Sequence, residues 1–393
     1  MADMTRTVAT SGADHTTIAS AMAYIVSNFT YGTTDVATIQ LVAAEEFNES
    51  NIVLGGVGGT ESATTYLRIE ADSGSRHDGT YNTGKARVRG NTNGQHVFQI
   101  SDDYVHIRYL AIQQDSTGAS DECIRLLDGL NDVLIEKSVI ELDNGTDQQD
   151  CIHASHIDVT DIRIFDCVFK LNTGNRAAIN GQAYSGASAK NQSYHIRHCT
   201  IDCDGAGWDN SASDPGAFEG GISGRADHAS STITFNVDNT ACFDAGNGAL
   251  DYNTNVGSFN DGTVTWSGQG NVGSDTSCKT ELGATNNLDS QTLSITDEVA
   301  TEFLVTNLTG GSEDYQLVDG ASSTDNSIDN AIDPGAGDSR VDLDLDIAGN
   351  ARPGTYTDRD TGAFEVVAAA AGSIMNQLQG SSLGSDLYNG TIL

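Results

Sequence analysis

Proline, positive charge and long apolar runs are all scarce in this chain. Three prolines in 393 residues leave little punctuation for domain borders. Lysine and arginine total 19 against 55 aspartates and glutamates, a net charge of −36. That balance excludes the positive footprint that nucleic-acid binding requires. No apolar run reaches the length of about 18 residues that a membrane-spanning helix needs, so no membrane insertion is expected. The opening MADMTRTVATSG lacks an apolar signal core, and no Sec-type export is expected. The seven cysteines are odd in number and show no CxxC metal spacing. Phosphate cradles of the GxxxxGK[ST] type are missing, and no GxSxG sits between a strand and a helix. Helical periodicity is confined in the first 90 residues to 15–28 (HTTIASAMAYIVSN), where Ile18, Ala21, Met22 and Ile25 recur on one face. Thr16 and Thr17 stand ready to cap that helix.

What is present is a repeat. The segments 105–113 (VHIRYLAIQ), 133–141 (VLIEKSVIE), 162–170 (IRIFDCVFK) and 194–202 (YHIRHCTID) superimpose, with Ile107, Ile135, Ile164 and Ile196 as their shared position. The spacings of 28, 29 and 32 residues are those of a solenoid. In each segment two stretches of alternating apolar residues are separated by a phase slip, which describes a strand, a bend and another strand. A second ladder precedes each segment: Val97-Phe98, Cys123-Ile124, Cys151-Ile152 and Ala178-Ile179, continued by Gly221-Ile222. Each turn therefore holds about three short strands joined by Gly/Asn/Asp/Ser loops, stacked in parallel about 4.8 Å apart. The expected fold is all-β: a right-handed, single-stranded parallel β-helix of the pectate-lyase type with an N-terminal capping helix.

The expected organisation is an N-terminal cap with first coils at 1–94, the parallel β-helix at 95–366, and a hinge and docking tail at 367–393. Strands are expected at 37–43, 66–71, 232–236, 262–266 and 292–295. A one-sided final strand is expected where Val341, Leu343, Leu345 and Ile347 alternate with aspartates. Cys123 with Cys151, and Cys167 with Cys199, share ladder positions and read as stacked, reduced core residues.

Candidate chemistry lies at 147–158 (DQQDCIHASHID), where Asp147, Asp150, His153, His156 and Asp158 cluster. Each of Arg125, His153 and Asn180 directly follows a ladder isoleucine, so stacking places them in one outward row. Carboxylates beside a histidine could serve as acid and base, with Asp150, His153 and Arg125 as the catalytic candidates. Against this, Asp and His are common in solenoid turns, and the residues aligned with Asp150 are Glu122 and Ala177, which form no second carboxylate row. His106, His195 and His198 read as surface histidines. The Asp-rich stretch 342–350 has Ile347 where a calcium loop needs glycine, so an EF-hand is excluded and only weak Ca²⁺ binding by irregular turns is left open. No cofactor is expected. The aspartate excess, 41 of the 55 acids, suits either a salty environment or simply the demand for turn residues.

Three regions carry a resemblance. The opening TRTVATSGADHTTIASAMAYI, SRHDGT at 75–80 and DDYVHIRYLAIQ at 102–113 resemble a right-handed β-helix family of tailed-phage genomes. DYQLVDGAS at 314–322 and SIDNAIDPG at 327–335 are similar to the C-terminal coils of β-helix proteins. So is DIAGNARPGTYTDRDTGAFEV at 346–366, which carries the signature D-x-x-G-x-x-R…D-x-G-A-F-E. The resemblance implies a virion surface component, a tail spike, fibre, or capsid decoration or turret protein, commonly a homotrimer bound to other virion proteins. Three functions follow as expectations: a non-enzymatic virion structural protein, a polysaccharide depolymerase (lyase or glycosidase), and a passive adhesin for a host cell-surface glycan.

Overall fold

The computed structural model describes residues 3–79, 81, 84–118, 121–143, 149–155, 157–171, 177–183, 188–203, 220–226, 228–243, 250–254, 262–284, 286–287, 345–352 and 363. Their strands fall into three sheets of ten, seven and eight strands, and every pairing between named strands is parallel. Successive strands visit the ten-stranded sheet, then the eight-stranded, then the seven-stranded, and return. This is the expected right-handed parallel β-helix. The described strands run from Met4–Val8 to Val272–Gly273.

The isoleucine ladder sets the register. Ile107 pairs with Ile135, Ile135 with Ile164, and Ile164 with Ile196. The structure extends the ladder to Ile69 and Ile39 on one side and Val237 on the other. All of these side chains are buried. Each buried isoleucine contributes about 1.5–3 kcal/mol relative to exposure. Near the C-terminal end of the coils the neighbouring ladder, two residues earlier on each strand, turns aromatic. Tyr194 stacks on Phe235 with centroids 5.0 Å apart, and Phe235 on Trp266 at 4.4 Å. All seven cysteines are buried and unbridged, and they pack as small core residues.

The phase slip between the two strands of each segment is a left-handed residue. Tyr109, Lys137, Asp166, His198 and Asn239, each two places after the ladder position, have φ between 46° and 56°. One such residue ends the strand of the ten-stranded sheet and turns the chain into the eight-stranded one. Asn and Asp tolerate this region, whereas Tyr and Lys adopt it at a cost that surrounding contacts must offset.

Helix α1 (Ile18–Asn28) closes the first coil as expected. Thr17 Oγ1 accepts from the Ser20 backbone N–H at 3.1 Å, and Ile18, Ala21, Met22 and Ile25 face the core. A second short helix, α2 (Ser277–Leu282), buries Cys278 and Leu282 beyond the last described strand. No helix among the described residues is long and apolar enough to cross a membrane.

The C-terminal signature does not add a coil where it is described. Leu345 bridges antiparallel to Ala351, so the expected strand through Ile347 is here a tight loop. Asp346 accepts from the Asn350 backbone N–H at 2.6 Å and from Asn350 Nδ2 at 2.9 Å, while Gly349 turns at φ +88°. The loop lies against the left-handed bends of the middle coils. Arg352 Nη2 donates to Asp166 Oδ1 at 3.0 Å and to the Ala363 carbonyl at 3.2 Å. Lys137 Nζ donates to Asp166 Oδ2 at 2.9 Å and to the Leu345 carbonyl at 2.6 Å. The Ala363 N–H donates to Thr200 Oγ1 at 3.0 Å. Holding the coil geometry thus falls to a buried Lys137–Asp166–Arg352 triad. Burial pushes the Asp166 carboxyl up, and the two cations pull it back. The expected strand at 292–295 and the tail 374–393 lie outside the described residues.

Removing Arg352 takes a donor from two buried acceptors, Asp166 Oδ1 and the Ala363 carbonyl, each worth about 1–3 kcal/mol. Arg352→Ala is expected to destabilise the chain by about 2–6 kcal/mol in denaturant unfolding. A loss below about 1 kcal/mol, the range of exposed pairs, would show that the loop is a peripheral contact.

Candidate functional site

On the seven-stranded sheet the outward residues form two rows. Gln99, Arg125, His153, Asn180 and Ser223 are consecutive partners in one row. Three residues earlier, the same strands bring His96, Glu122, Asp150, Ala177 and Gly220 into the other; the Cys123 N–H donates to the Asp150 carbonyl, which fixes Glu122 beside Asp150. Residues three apart reach the same face because Cys151 and Ile152 both turn into the core.

The expected row Arg125–His153–Asn180 is therefore real, with Arg125 partly exposed and the rest closed. Asp150, Glu122 and Asn180 are fully buried, and His153 is only 8% exposed. Asp147 and His156 lie outside the described residues. Asp158 is turned away: its carboxylate takes the Asn191 N–H at 2.7 Å and an ion pair with Lys190 at 3.2 Å.

Glu122 is the residue that the sequence did not mark as functional. Its Oε1 lies 2.8 Å from His153 Nδ1, and its Oε2 contacts His96 Nδ1. Arg125 Nη1 lies 3.0 Å from His96 Nε2. Asp150 Oδ2 stands 3.5 Å from His153 Nδ1 and accepts from Asn180 Nδ2 at 3.0 Å, while Asp150 Oδ1 accepts from the Ala177 N–H at 3.1 Å. Burial alone would raise the Glu122 carboxyl. Its hydrogen bonds with His153 and His96 outweigh burial and hold it down at about 2. Glu122 and Ala177, read from the sequence as aligned with Asp150, flank it in the structure, and the next rung is Gly220.

Two chemistries are available. With Nδ1–H donated to Glu122, the neutral His153 ring carries its lone pair on Nε2, the arrangement of a carboxylate-oriented general base. The alternative is metal ligation. Glu122, Asp150 and His153 each place one ligand atom within 4.8 Å of the others, and so do Cys203, Cys242 and Asp251. The contacts with His153 and His96 that lower the Glu122 carboxyl suit it to orienting a base more than to donating a proton.

The other histidines correct the surface reading in part. His106 is buried, with Nε2 2.9 Å from Glu136 Oε1, and His198 is fully buried beside Asn239. His195 is the partly exposed one; burial lowers its pKa against the pull of Asp161.

No protein-family profile matches the chain, and no curated protein matches it. Among solved structures, the crystal structure of the pectin methylesterase from Aspergillus niger in deglycosylated form is similar. It shares 13% identity over 72% of this chain and 89% of that one, with a TM-score of 0.42.

Asp251 gives the region a titration of its own. Its Oδ2 accepts from the Ser274 N–H at 2.6 Å, Ser274 Oγ at 3.0 Å and the Asp275 N–H at 3.2 Å. Burial first, and then the Asp275 carboxylate, push it up from 3.8 to about 7. The folded chain then holds a proton that the unfolded chain releases above 3.8, so stability falls as pH rises from about 4 to about 7. A tenfold difference in proton affinity between the two states is worth about 1.4 kcal/mol, which sets an upper bound of about 4 kcal/mol across that window. Urea unfolding of Asp251→Asn is expected to show a flatter pH dependence than the parent; parallel curves would refute the assignment.

Proposed function

We propose that this chain is a non-enzymatic structural component of a tailed-virus particle: a β-helical rod displayed as a spike, fibre, or capsid decoration or turret protein, assembled as a homotrimer with other virion proteins. The observation that carries the reading is the burial of its best catalytic constellation. Glu122 and Asp150 are buried and bonded to His96, His153, Asn180 and the Ala177 backbone, so the polar row is built into the scaffold. The segments quoted above that resemble phage β-helix proteins support the viral setting. A closed solenoid suits display, because it presents sheet edges only at its ends and every coil is hydrogen-bonded to its neighbours. A host-surface glycan is the natural class of ligand for such a rod.

The His153–Glu122 pair favours a second reading, a polysaccharide lyase with His153 as base. Incubation of the purified protein with host capsular polysaccharide separates the two. The first reading predicts no new reducing ends and no unsaturated uronates, together with a trimeric mass by light scattering. Turnover that disappears in Asp150→Ala would overturn it. Assembly is assigned to residues 374–393 or the N-terminal cap; a 1–373 chain that keeps its trimeric mass would remove the tail from that role.

A further inference from the structure

Charged rows on this β-helix alternate in sign. On the outer face of the ten-stranded sheet the row reads Glu70, Arg108, Glu136, with Arg108 Nε 2.5 Å from Glu70 and Nη1 3.8 Å from Glu136. On the eight-stranded sheet it reads Glu141, Lys170, Asp202, with Lys170 Nζ 3.6 Å from Glu141. Stacking at about 4.8 Å demands this, because like charges at that spacing repel strongly away from water. The seven-stranded sheet breaks the rule. Glu122 stacks on Asp150, both fully buried, with the single Nδ1 position of His153 between them at 2.8 and 3.5 Å.

A second, independent observation points to a ligand at the same place. Asn180, the next rung after His153, is fully buried. Its Nδ2 donates to Asp150, which fixes the amide's orientation, since the flipped amide would set its oxygen against a carboxylate. Among the described residues Asn180 Oδ1 is then left with no hydrogen-bond partner. A buried acceptor in that condition costs about 1–3 kcal/mol unless water or an ion satisfies it.

We propose that Glu122 Oε1, Asp150 Oδ2 and His153 Nδ1 bind a divalent transition-metal ion of the zinc class, with Asn180 Oδ1 as the further oxygen donor. The imidazole binds as its other tautomer, its proton moving from Nδ1 to Nε2 as the metal takes the Nδ1 lone pair. Two carboxylates and one imidazole make a mixed oxygen and nitrogen set. That set suits zinc better than calcium, which takes oxygen ligands. The ion would supply the positive charge that alternation places between stacked acids elsewhere on this molecule. It would also pin three coils to one another.

The test uses the full chain without a histidine tag, stripped with a chelator and titrated with Zn²⁺ by calorimetry. One Zn²⁺ per chain is expected. Affinity should fall at least tenfold in Glu122→Gln and in Asp150→Asn, and stay unchanged in His195→Ala. Absence of stoichiometric binding, equal binding by all the variants, or binding of Ca²⁺ in preference to Zn²⁺ would overturn the proposal. Should either site variant fail to fold by circular dichroism, X-ray absorption of the zinc-loaded parent decides. One imidazole with oxygen neighbours supports the site, whereas sulfur ligation would move the ion to Cys203 and Cys242 and refute it.

Discussion

Parallel, in-register stacking of successive coils is the constraint from which the other features follow. Every side chain sits over its counterpart one coil away, so a favourable residue is rewarded repeatedly and an unfavourable one is penalised repeatedly. Inside the coil this yields ladders: isoleucine from Ile39 to Ile196 and, beside it, the stack of Tyr194, Phe235 and Trp266. Outside, it forbids runs of one charge, and the rows through Arg108 and Lys170 comply. In the rows through Arg108 and Lys170 the acids are interleaved with bases, which limits repulsion in a chain of net charge −36.

The bend between sheets is where the fold is under most tension. Five coils turn on a left-handed residue, and in two of them that residue is Tyr109 or Lys137, neither suited to it. Lys137 is held because its ammonium is the hub of a buried network with Asp166, the Leu345 carbonyl and, through Asp166, Arg352. The C-terminal signature therefore acts as a clamp on the middle of the rod. Asp346 and Gly349 shape the loop, Arg352 reaches the bend, and Ala363 closes onto Thr200. The consequence for function is stiffness. A solenoid whose coils are tied by their own distal chain resists fraying from the end where the described helix is only six residues long.

The sequence showed the period, the core ladder, the capping helix and the row Arg125–His153–Asn180, because each rests on local alternation or on fixed spacing. What it hid depends on distance or on backbone conformation. The bends carry no glycine, so nothing marked Lys137 or Asp166 as left-handed. The clamp joins residues 186 positions apart, far outside any local pattern. His106 and His198 alternate with core residues as surface residues do, yet both are buried by neighbours that only the fold supplies. Glu122 was visible at the right register beside Asp150. Its role was missed because His96, its second partner, lies a whole coil earlier and belongs to no motif.

The same constraint weighs on the two functional readings. A catalytic row on a solenoid must stay wet, because substrate and water have to reach it, and its acid must keep a proton. Here Glu122, Asp150 and Asn180 are buried while Arg125 stays partly exposed, and the histidine contacts hold the Glu122 carboxyl low. Such a site ties three successive coils together through Glu122, the Asp150–His153 strand and Asn180. It does on the seven-stranded sheet what the Asp166 clamp does at the bend: each gathers charge from several coils into one buried network, and each works only while those coils stay stacked. Both networks are therefore best understood as fasteners of the rod, placed where stacking alone would leave charge or strain unresolved.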